Sequence, residues 1–152
     1  MVKYIEKAQS MSLPAIALRG IVAFPSVPIS IELVRDKSVA ACKAAQKGDG
    51  MVYFCTQKDI STEDPAADDL YKVGTVAKIR QSIKTKNGGL RIIIGGFARA
   101  KTVSLNSDGQ YLSAEVITKD VDVDAGGGIK GEALIMEARN TFDEFTSLLP
   151  SV

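Results

Sequence analysis

Histidine and tryptophan are absent from this chain of 152 residues, and it holds only two cysteines. Without histidine the chain cannot form a Ser-His-Asp triad, a Cys-His pair, a histidine zinc site or a histidine pH switch. Two cysteines are too few for a cysteine zinc cluster, and they give no sign of a disulfide framework. Because Cys42 and Cys55 lie among apolar neighbours, they are interpreted as reduced core residues of a cytosolic protein.

Long apolar runs and nucleotide-binding motifs are also absent. No run approaches the ~18 apolar residues of a membrane span, and the mixed, polar N-terminus does not resemble a signal peptide. A G-x-x-x-x-G-K-[ST] phosphate loop does not occur, so nucleotide hydrolysis has no support. The length fits one domain, and the 45% apolar and 24% charged fractions are typical of soluble globular proteins. We therefore expect a cytoplasmic protein with no membrane partner.

Charge is nearly balanced overall but unevenly distributed. The net charge is +1, yet residues 70–107 contain eight basic residues and no acidic one. Within this region Ala77, Ile79 and Ile83 are expected to alternate inward, and the basic residues of one strand are expected to project from its other side: Lys78, Arg80, Lys84 and Lys86. Such a face could bind phosphates, but no aromatic side chains interleave for base stacking. A solvated sheet face is favoured, and nucleic-acid binding stays an alternative.

Apolar patterning predicts several strands. Short apolar runs predict strands at 13–18, 29–34 and 51–57. Alternation over 73–94 predicts a hairpin whose turn, Asn87-Gly88-Gly89, supplies positive φ angles. The glycines at 95 and 96 predict a bend before the strand resumes. A last strand is expected to point three side chains inward: Leu112, Ala114 and Val116.

Two helices are predicted. The first covers 36–47, with Asp36 or Ser38 as its cap and Gly48 as a left-handed residue at its end. The second covers 132–149 and carries an apolar face that is expected to need a partner. That face consists of Leu134, Ala138, Phe142, Phe145 and Leu149.

The segment 120–131 between the last strand and the second helix is acidic and then rich in glycine. Its Gly126-x-Gly128-x-x-Gly131 spacing formally matches a dinucleotide-binding fingerprint, but the required βαβ unit does not surround it. Asp120, Asp122 and Asp124 resemble the start of a calcium loop, but Ala125 and Gly131 stand where that loop needs glycine and glutamate. A flexible linker is the favoured interpretation.

Residues 21–28 carry apolar side chains in a predicted loop or sheet edge, since prolines disrupt a central strand. One interpretation is a loop folded back onto the core. The other is an exposed patch that captures extended or unfolded segments. The residues concerned are Phe24, Pro25, Val27 and Pro28.

Several segments together resemble the N-terminal domain of the ATP-dependent Lon proteases. They are LPAIALRGIVAFP at 13–25, RDKS at 35–38, TQKD at 56–59, DDLYKVGTVAKI at 68–79 and the stretch 95–101. The resemblance implies a mainly β fold with α (α+β). It implies a PUA-like pseudo-barrel of about six strands with one inserted helix, followed by a C-terminal helix. The β domain would cover 1–119, and 120–152 would be a linker and the start of a helical subdomain.

The same resemblance implies a role rather than an activity for this chain. It implies capture of unfolded, damaged or degron-bearing protein substrates for a hexameric AAA+ motor and a Ser–Lys peptidase, both outside this chain. ATP and magnesium would belong to that motor, and this chain would have no catalytic, metal or cofactor site. Ser26 stands where the family usually has glycine. The expected contact residues are Phe24, Pro25, Val27, Pro28 and Ile29, with Arg35 and Lys37 adding charge or packing against a neighbouring subunit.

Three alternatives to substrate capture follow from the same residues. The first is a nucleic-acid module that uses the basic hairpin, and it predicts a steep loss of affinity with salt. The second is a purely structural role in assembling the hexamer. An enzyme acting on its own is the least favoured, because no nucleophile with an activating base stands out.

Overall fold

The computed structural model describes residues 8–107, 109–119 and 128–149. The chain divides into two compact units, Met1–Asp120 and Val121–Val152. The first unit contains helix α1 (Asp36–Lys47) and a 3-10 turn (Ala67–Asp69), and the second contains helix α2 (Ile129–Ser147). The strands, all in the first unit, are β1 (Ser10–Leu18), β2 (Pro28–Leu33), β3 (Met51–Thr56), β4 (Val73–Lys84), β5 (Leu90–Asn106) and β6 (Leu112–Lys119).

The six strands form one sheet in the order β2-β5-β4-β3-β1-β6. A further β5–β6 pairing closes the sheet on itself, with β2 as a branch beside β5. Strand β5 makes closure possible because it is 17 residues long and serves two sets of neighbours. Its first part pairs with β2, and its last part pairs with β6, which in turn pairs with β1. Register shifts mark where it bends, beside Gly96 and at Val103. The predicted α+β fold is therefore confirmed.

Apolar side chains form two clusters, one on each face of β1 and β3. Alternate residues of β3 divide between them, since Phe54 belongs to one cluster and Tyr53 to the other. Helix α1 covers the first cluster with Ala41, Cys42 and Ala45. The second cluster takes in Leu112, Ala114 and Val116, as the alternation predicted. Burial on both faces explains why β3 is an uninterrupted apolar run.

Helix α1 begins and ends where the sequence predicted, but its caps differ. Arg35 occupies the N-cap position, and no side chain hydrogen-bonds there; Ser38 is instead a buried helix residue. Gly48 is not left-handed, with φ −101°, whereas Gly50 has φ +80°. The N–H groups of Gly48 and Gly50 both donate to the Ala45 carbonyl, at 3.1 and 3.0 Å. The chain therefore continues to turn beyond the end of the helix before it reverses direction.

The hairpin turn is confirmed, but the strand before it breaks the predicted alternation. Gly88 has the positive φ, 81°, and the Thr85 N–H donates to the Gly89 carbonyl across the turn. A bulge at Arg80 shifts the register between β4 and β5. Beyond it Ser82 lies opposite buried Ile92, while Ile83 is exposed. The inward placement of Ile83 was wrong, because one extra residue exchanges the faces of all that follow.

The same bulge separates the basic side chains that were predicted to share one face. Lys78 pairs with Gly95, whereas Lys84 pairs with Leu90, whose side chain points into the core. Lys78 and Lys84 therefore lie on opposite faces of the sheet. Lys86 follows the end of β4 and lies in the hairpin loop. A single basic stripe along this strand is thus corrected by the structure.

Helix α2 is close to the predicted second helix and has no buried residue. It begins three residues earlier and ends two residues earlier than the apolar spacing indicated. Of the glycine motif, Gly128 is the N-cap of this helix and Gly131 lies in its first turn. The acidic residues Asp120, Asp122 and Asp124, and Gly126, lie outside the described residues.

Candidate functional site

The segment between β1 and β2, residues 21–27, is a loop whose backbone is fixed to the sheet; we call it the apolar loop. The Thr75 hydroxyl is buried and donates to the Ala23 carbonyl at 2.7 Å. The Thr56 hydroxyl donates to the Ile21 carbonyl at 2.8 Å. The Ser26 N–H donates to the Gly96 carbonyl at 3.1 Å. These bonds hold the loop in one conformation, because each satisfies a backbone group through a neighbouring strand.

Most side chains of the apolar loop point into solvent even though its backbone is fixed. Phe24 and Val27 are 48% and 50% exposed, and Ile21 and Val22 are exposed as well, while only Ala23 is buried. The Arg99 guanidinium lies 5.9 Å from the centre of the Phe24 ring, within the range of a cation–π contact. The loop therefore combines a rigid backbone with an apolar surface, and it does not fold back onto the core.

Two residues explain how the loop lies so close to β5. Gly96 has no room for a side chain, because a Cβ there would overlap the Phe24 carbonyl. Ser26 has φ 62°, in the left-handed region that favours glycine. Ser26 therefore occupies a backbone conformation that glycine would adopt more readily.

The remaining apolar residues predicted for the site are divided by the structure. Pro25 is half-buried in the loop, and exposed Pro28 begins β2. Ile29 is half-buried opposite Ile94 and packs against the core cluster. Phe24, Val27 and Pro28 thus offer exposed apolar surface, whereas Ile29 mainly supports the sheet beneath it.

Arg35 and Lys37 lie at a second feature, a groove of about 660 Å³ that we call the charged groove. One Arg35 Nη2–H donates to Gln57 Oε1 at 2.7 Å. Lys37 Nζ forms an ion pair with Asp64 at 2.7 Å. Both contacts hold the loop that follows β3 against the start of α1. The groove is lined by Ala17, Leu18, Arg19, Ile21, Ile31, Glu32, Leu33, Val34, Arg35, Asp36, Lys37, Ser38, Glu63 and Asp64.

The electrostatics of the groove centre on two guanidinium groups. Partial burial and the nearby Arg19 lower the pKa of Arg35 from its usual value, while Asp64 and Glu63 oppose that shift. Arg19 also donates to the Thr62 carbonyl, at 3.3 Å. Arg35 was among the expected contact residues, whereas Arg19 was quoted only as part of the segment 13–25. Arg19 and Arg35 come together at the loop after β3. No local sequence pattern predicts where that loop lies.

The cysteines are not reactive groups in this fold. Both are free and buried, as the apolar neighbours indicated. Burial raises the pKa of Cys55 to about 12 and raises that of Cys42 as well. A thiol with a raised pKa is protonated at neutral pH and is a poor nucleophile or metal ligand.

The described parts of the chain offer neither a metal cluster nor a membrane-spanning helix. There, no three His, Cys, Asp or Glu side chains are grouped so that they could hold a metal ion. Neither of the described helices is long and apolar enough to span a bilayer.

Residues 12–152 match the family described as the ATP-dependent protease La (LON) substrate-binding domain. This chain belongs to the Lon substrate-binding domain family. It is 33% identical over 137 residues to Lon protease 1 of Bacillus subtilis (strain 168). The aligned region covers 90% of this chain and 17% of that protein. It is 33% identical over 110 residues to the Lon protease of Escherichia coli (strain K12), covering 72% of this chain and 14% of that protein.

Solved Lon structures share the fold. The N-terminal domain of the Mycobacterium avium complex Lon protease superposes with a TM-score of 0.63 at 20% identity, covering 91% of this chain and 76% of that one. The Lon N-terminal domain protein from Xanthomonas campestris gives a TM-score of 0.64 at 15% identity, covering 93% and 85%. The sequence resemblance to Lon is thereby confirmed. This Lon domain spans less than a fifth of the two Lon relatives' length.

Proposed function

We propose that this Lon substrate-binding domain captures unfolded or damaged proteins through the apolar loop. The observation that supports this is a rigid loop whose backbone is tied to three strands while Phe24, Val27 and their neighbours stay exposed. Unfolded chains expose apolar and aromatic side chains, and a fixed apolar surface can bind them without reading a sequence. A rigid surface also loses little conformational entropy on binding.

Replacing Phe24 and Val27 together by serine should weaken binding while leaving the fold intact. The change removes apolar surface but touches none of the loop's backbone hydrogen bonds. Burial of two such side chains against a substrate contributes about 1–2 kcal/mol, so we expect roughly a 5- to 30-fold rise in Kd. The probe is a reduced, carboxymethylated protein that cannot fold, measured by fluorescence anisotropy.

The matched control exchanges two other exposed side chains on the same sheet, Ile83 and Val103, for serine. They are 53% and 59% exposed, fractions similar to the 50% of Val27, but they lie outside the apolar loop. We expect this variant to bind like the parent chain. Equal affinity of the folded Phe24→Ser/Val27→Ser variant and the parent would show that the loop is not the capture surface.

The wider role follows from family membership and is part of the same proposal. The longer protein would be a cytoplasmic, hexameric, ATP-dependent serine protease, with its AAA+ motor and Ser–Lys peptidase outside these residues. ATP and magnesium would be bound by the motor. This domain would hold substrate for that motor and would not itself cleave peptide bonds. Pure assembly of the hexamer is the competing role, and it predicts no binding of the unfolded probe.

A further inference from the structure

Strand β2 is an edge strand that borders the charged groove. Among the described residues it pairs with β5 alone, and it stands at the end of the strand order. The other side of an edge strand carries backbone N–H and C=O groups that can pair with another chain. Edge strands of this kind bind extended peptides in several recognition domains.

The groove runs along this edge rather than over one face of the sheet. Three consecutive residues of β2, 31–33, all line it, and the lining continues from there to the start of α1. Successive strand residues point to opposite faces, so a cavity over one face would contact only every second one. The opposite wall is the end of β1, where Ala17 and Leu18 line the groove, pair with β3 and lie beyond the last β6 partner, Ala15. The groove is therefore a slot between two strands.

The slot has an apolar floor and a rim of mixed charge. Leu18, Ile31 and Leu33 are buried and form the floor. On the rim, Lys37 is paired with Asp64 at 2.7 Å, and Glu32 lies 3.5 Å from Arg91. Arg19 and Arg35 are balanced in sign by Asp36 and Glu63. The rim thus favours neither an acidic nor a basic occupant, and the floor favours apolar side chains at alternate positions.

We propose that an extended segment of unfolded polypeptide binds in this groove as an added strand paired with β2. The inference rests on the proposed function and specifies its mode. The groove is continuous with the apolar loop, because Ile21 belongs to both and Pro28 begins β2 directly after the loop. Backbone pairing provides affinity that does not depend on sequence, and the loop adds apolar contact next to it.

N-methylated peptides test strand pairing directly. The probe is a fluorescent octapeptide of alternating valine and threonine, compared with two isomers that carry N-methyl groups on residues 3 and 5 or on residues 4 and 6. In a strand the N–H groups of alternate residues point to the same edge. Loss of two backbone hydrogen bonds of about 1 kcal/mol each predicts roughly a 10- to 30-fold weaker isomer. The other isomer should bind at least about fivefold more tightly than that one, since its methylated groups face away from β2 and leave the hydrogen bonds to β2 intact.

Amide hydrogen exchange of the full chain gives a second readout. Bound peptide should protect alternate amides of β2 that exchange freely without it, and it should leave the exposed end of β4 unchanged. A fivefold change in ionic strength should alter Kd less than twofold, because the rim is balanced in charge.

The remaining outcomes test strand pairing with β2 and the proposed function separately. Two isomers of equal affinity, or an unfolded-protein probe that binds while the octapeptide does not, would overturn strand pairing and leave capture by the apolar loop standing. Failure of every probe to bind would overturn the proposed function itself, and with it this mode.

Discussion

Single residues decide whether the apolar loop can lie against the sheet. Among the described residues, Ser26 is the only non-glycine with positive φ, at 62°. A left-handed conformation costs an L-residue about 1–2 kcal/mol, so this position is strained unless glycine occupies it. The hydrogen bond from Ser26 N–H to the Gly96 carbonyl holds the residue there. The serine at this position therefore affects the stability of the fold as well as the surface of the apolar loop.

Exchange of Ser26 for glycine should raise the free energy of unfolding by about 0.5–1 kcal/mol, because relief of the strain exceeds the entropy that glycine adds to the unfolded chain. Urea denaturation measures the change. Ser30→Gly is the matched control, since Ser30 is an exposed residue within β2 and should lose stability on the same exchange. A Ser26→Gly chain destabilised as much as the control would contradict the assignment.

Strands and loops, at the next scale, set which side chains meet. The apolar loop packs where β5 bends, and Gly96 is the contact point. One bulge in β4 reverses the faces of Ser82 and Ile83, and the Gln46 amide then donates to the Ser82 hydroxyl at 2.7 Å. The hydrogen bond between Arg35 and Gln57 holds the loop after β3, and that loop forms one wall of the charged groove. Both proposed binding features therefore depend on contacts between elements distant in the chain.

Exchange of Gly96 for alanine should detach the apolar loop from β5. The added Cβ would overlap the Phe24 carbonyl, and the Ser26–Gly96 hydrogen bond could not form at its present length. We expect a loss of about 2–4 kcal/mol in unfolding free energy and large amide shifts in residues 21–27.

Gly109→Ala is the control for that exchange. A Cβ at Gly109 would lie 3.6 Å from the Tyr111 carbonyl, an ordinary contact, so stability should change little. A Gly96→Ala chain as stable as this control would show that the loop does not need close approach at β5.

Among the described residues of the first unit, three buried groups have a raised pKa and can lose a proton at alkaline pH: Cys42, Tyr53 and Cys55. Burial raises the pKa of Tyr53 and of Cys55, each to about 12. The Tyr53 hydroxyl lies 2.9 Å from the Thr102 hydroxyl inside the closed sheet. Closure of the sheet thus keeps both groups protonated at a pH where the unfolded chain would release their protons.

Stability should therefore fall at alkaline pH. Both folded pKa values lie above the unfolded ones, so this contribution is complete below about pH 9 and is lost as pH rises towards 12. The measurement is the urea unfolding free energy from pH 7 to pH 11. Tyr53→Phe should reduce the slope of the unfolding free energy against pH by the contribution of one proton. Tyr71→Phe, which changes an exposed ring, should leave that slope unchanged. Identical slopes in the two variants would refute this origin.

Local sequence patterns predicted the type and place of most elements, and they carried the family resemblance. Apolar runs, one alanine-rich helix and a glycine turn are local signals, because each reflects burial or backbone freedom within a few residues. The bounds of α1 and the inward residues of β6 needed no more than that. The quoted segments likewise carried the resemblance to Lon.

Contacts between distant parts of the chain set which face of the sheet each side chain occupies, how the sheet closes and which apolar side chains stay exposed. The bulge at Arg80 depends on how β4 meets a strand that bends, so the alternation around Ile83 and Lys84 could not reveal it. Ile29 entered the core and Phe24 stayed outside because the loop is anchored by Thr56, Thr75 and Gly96, which are far away in sequence. The charged groove lies where β2 has no second neighbouring strand among the described residues. Pairing and close approach are properties of residues that meet only in the folded chain.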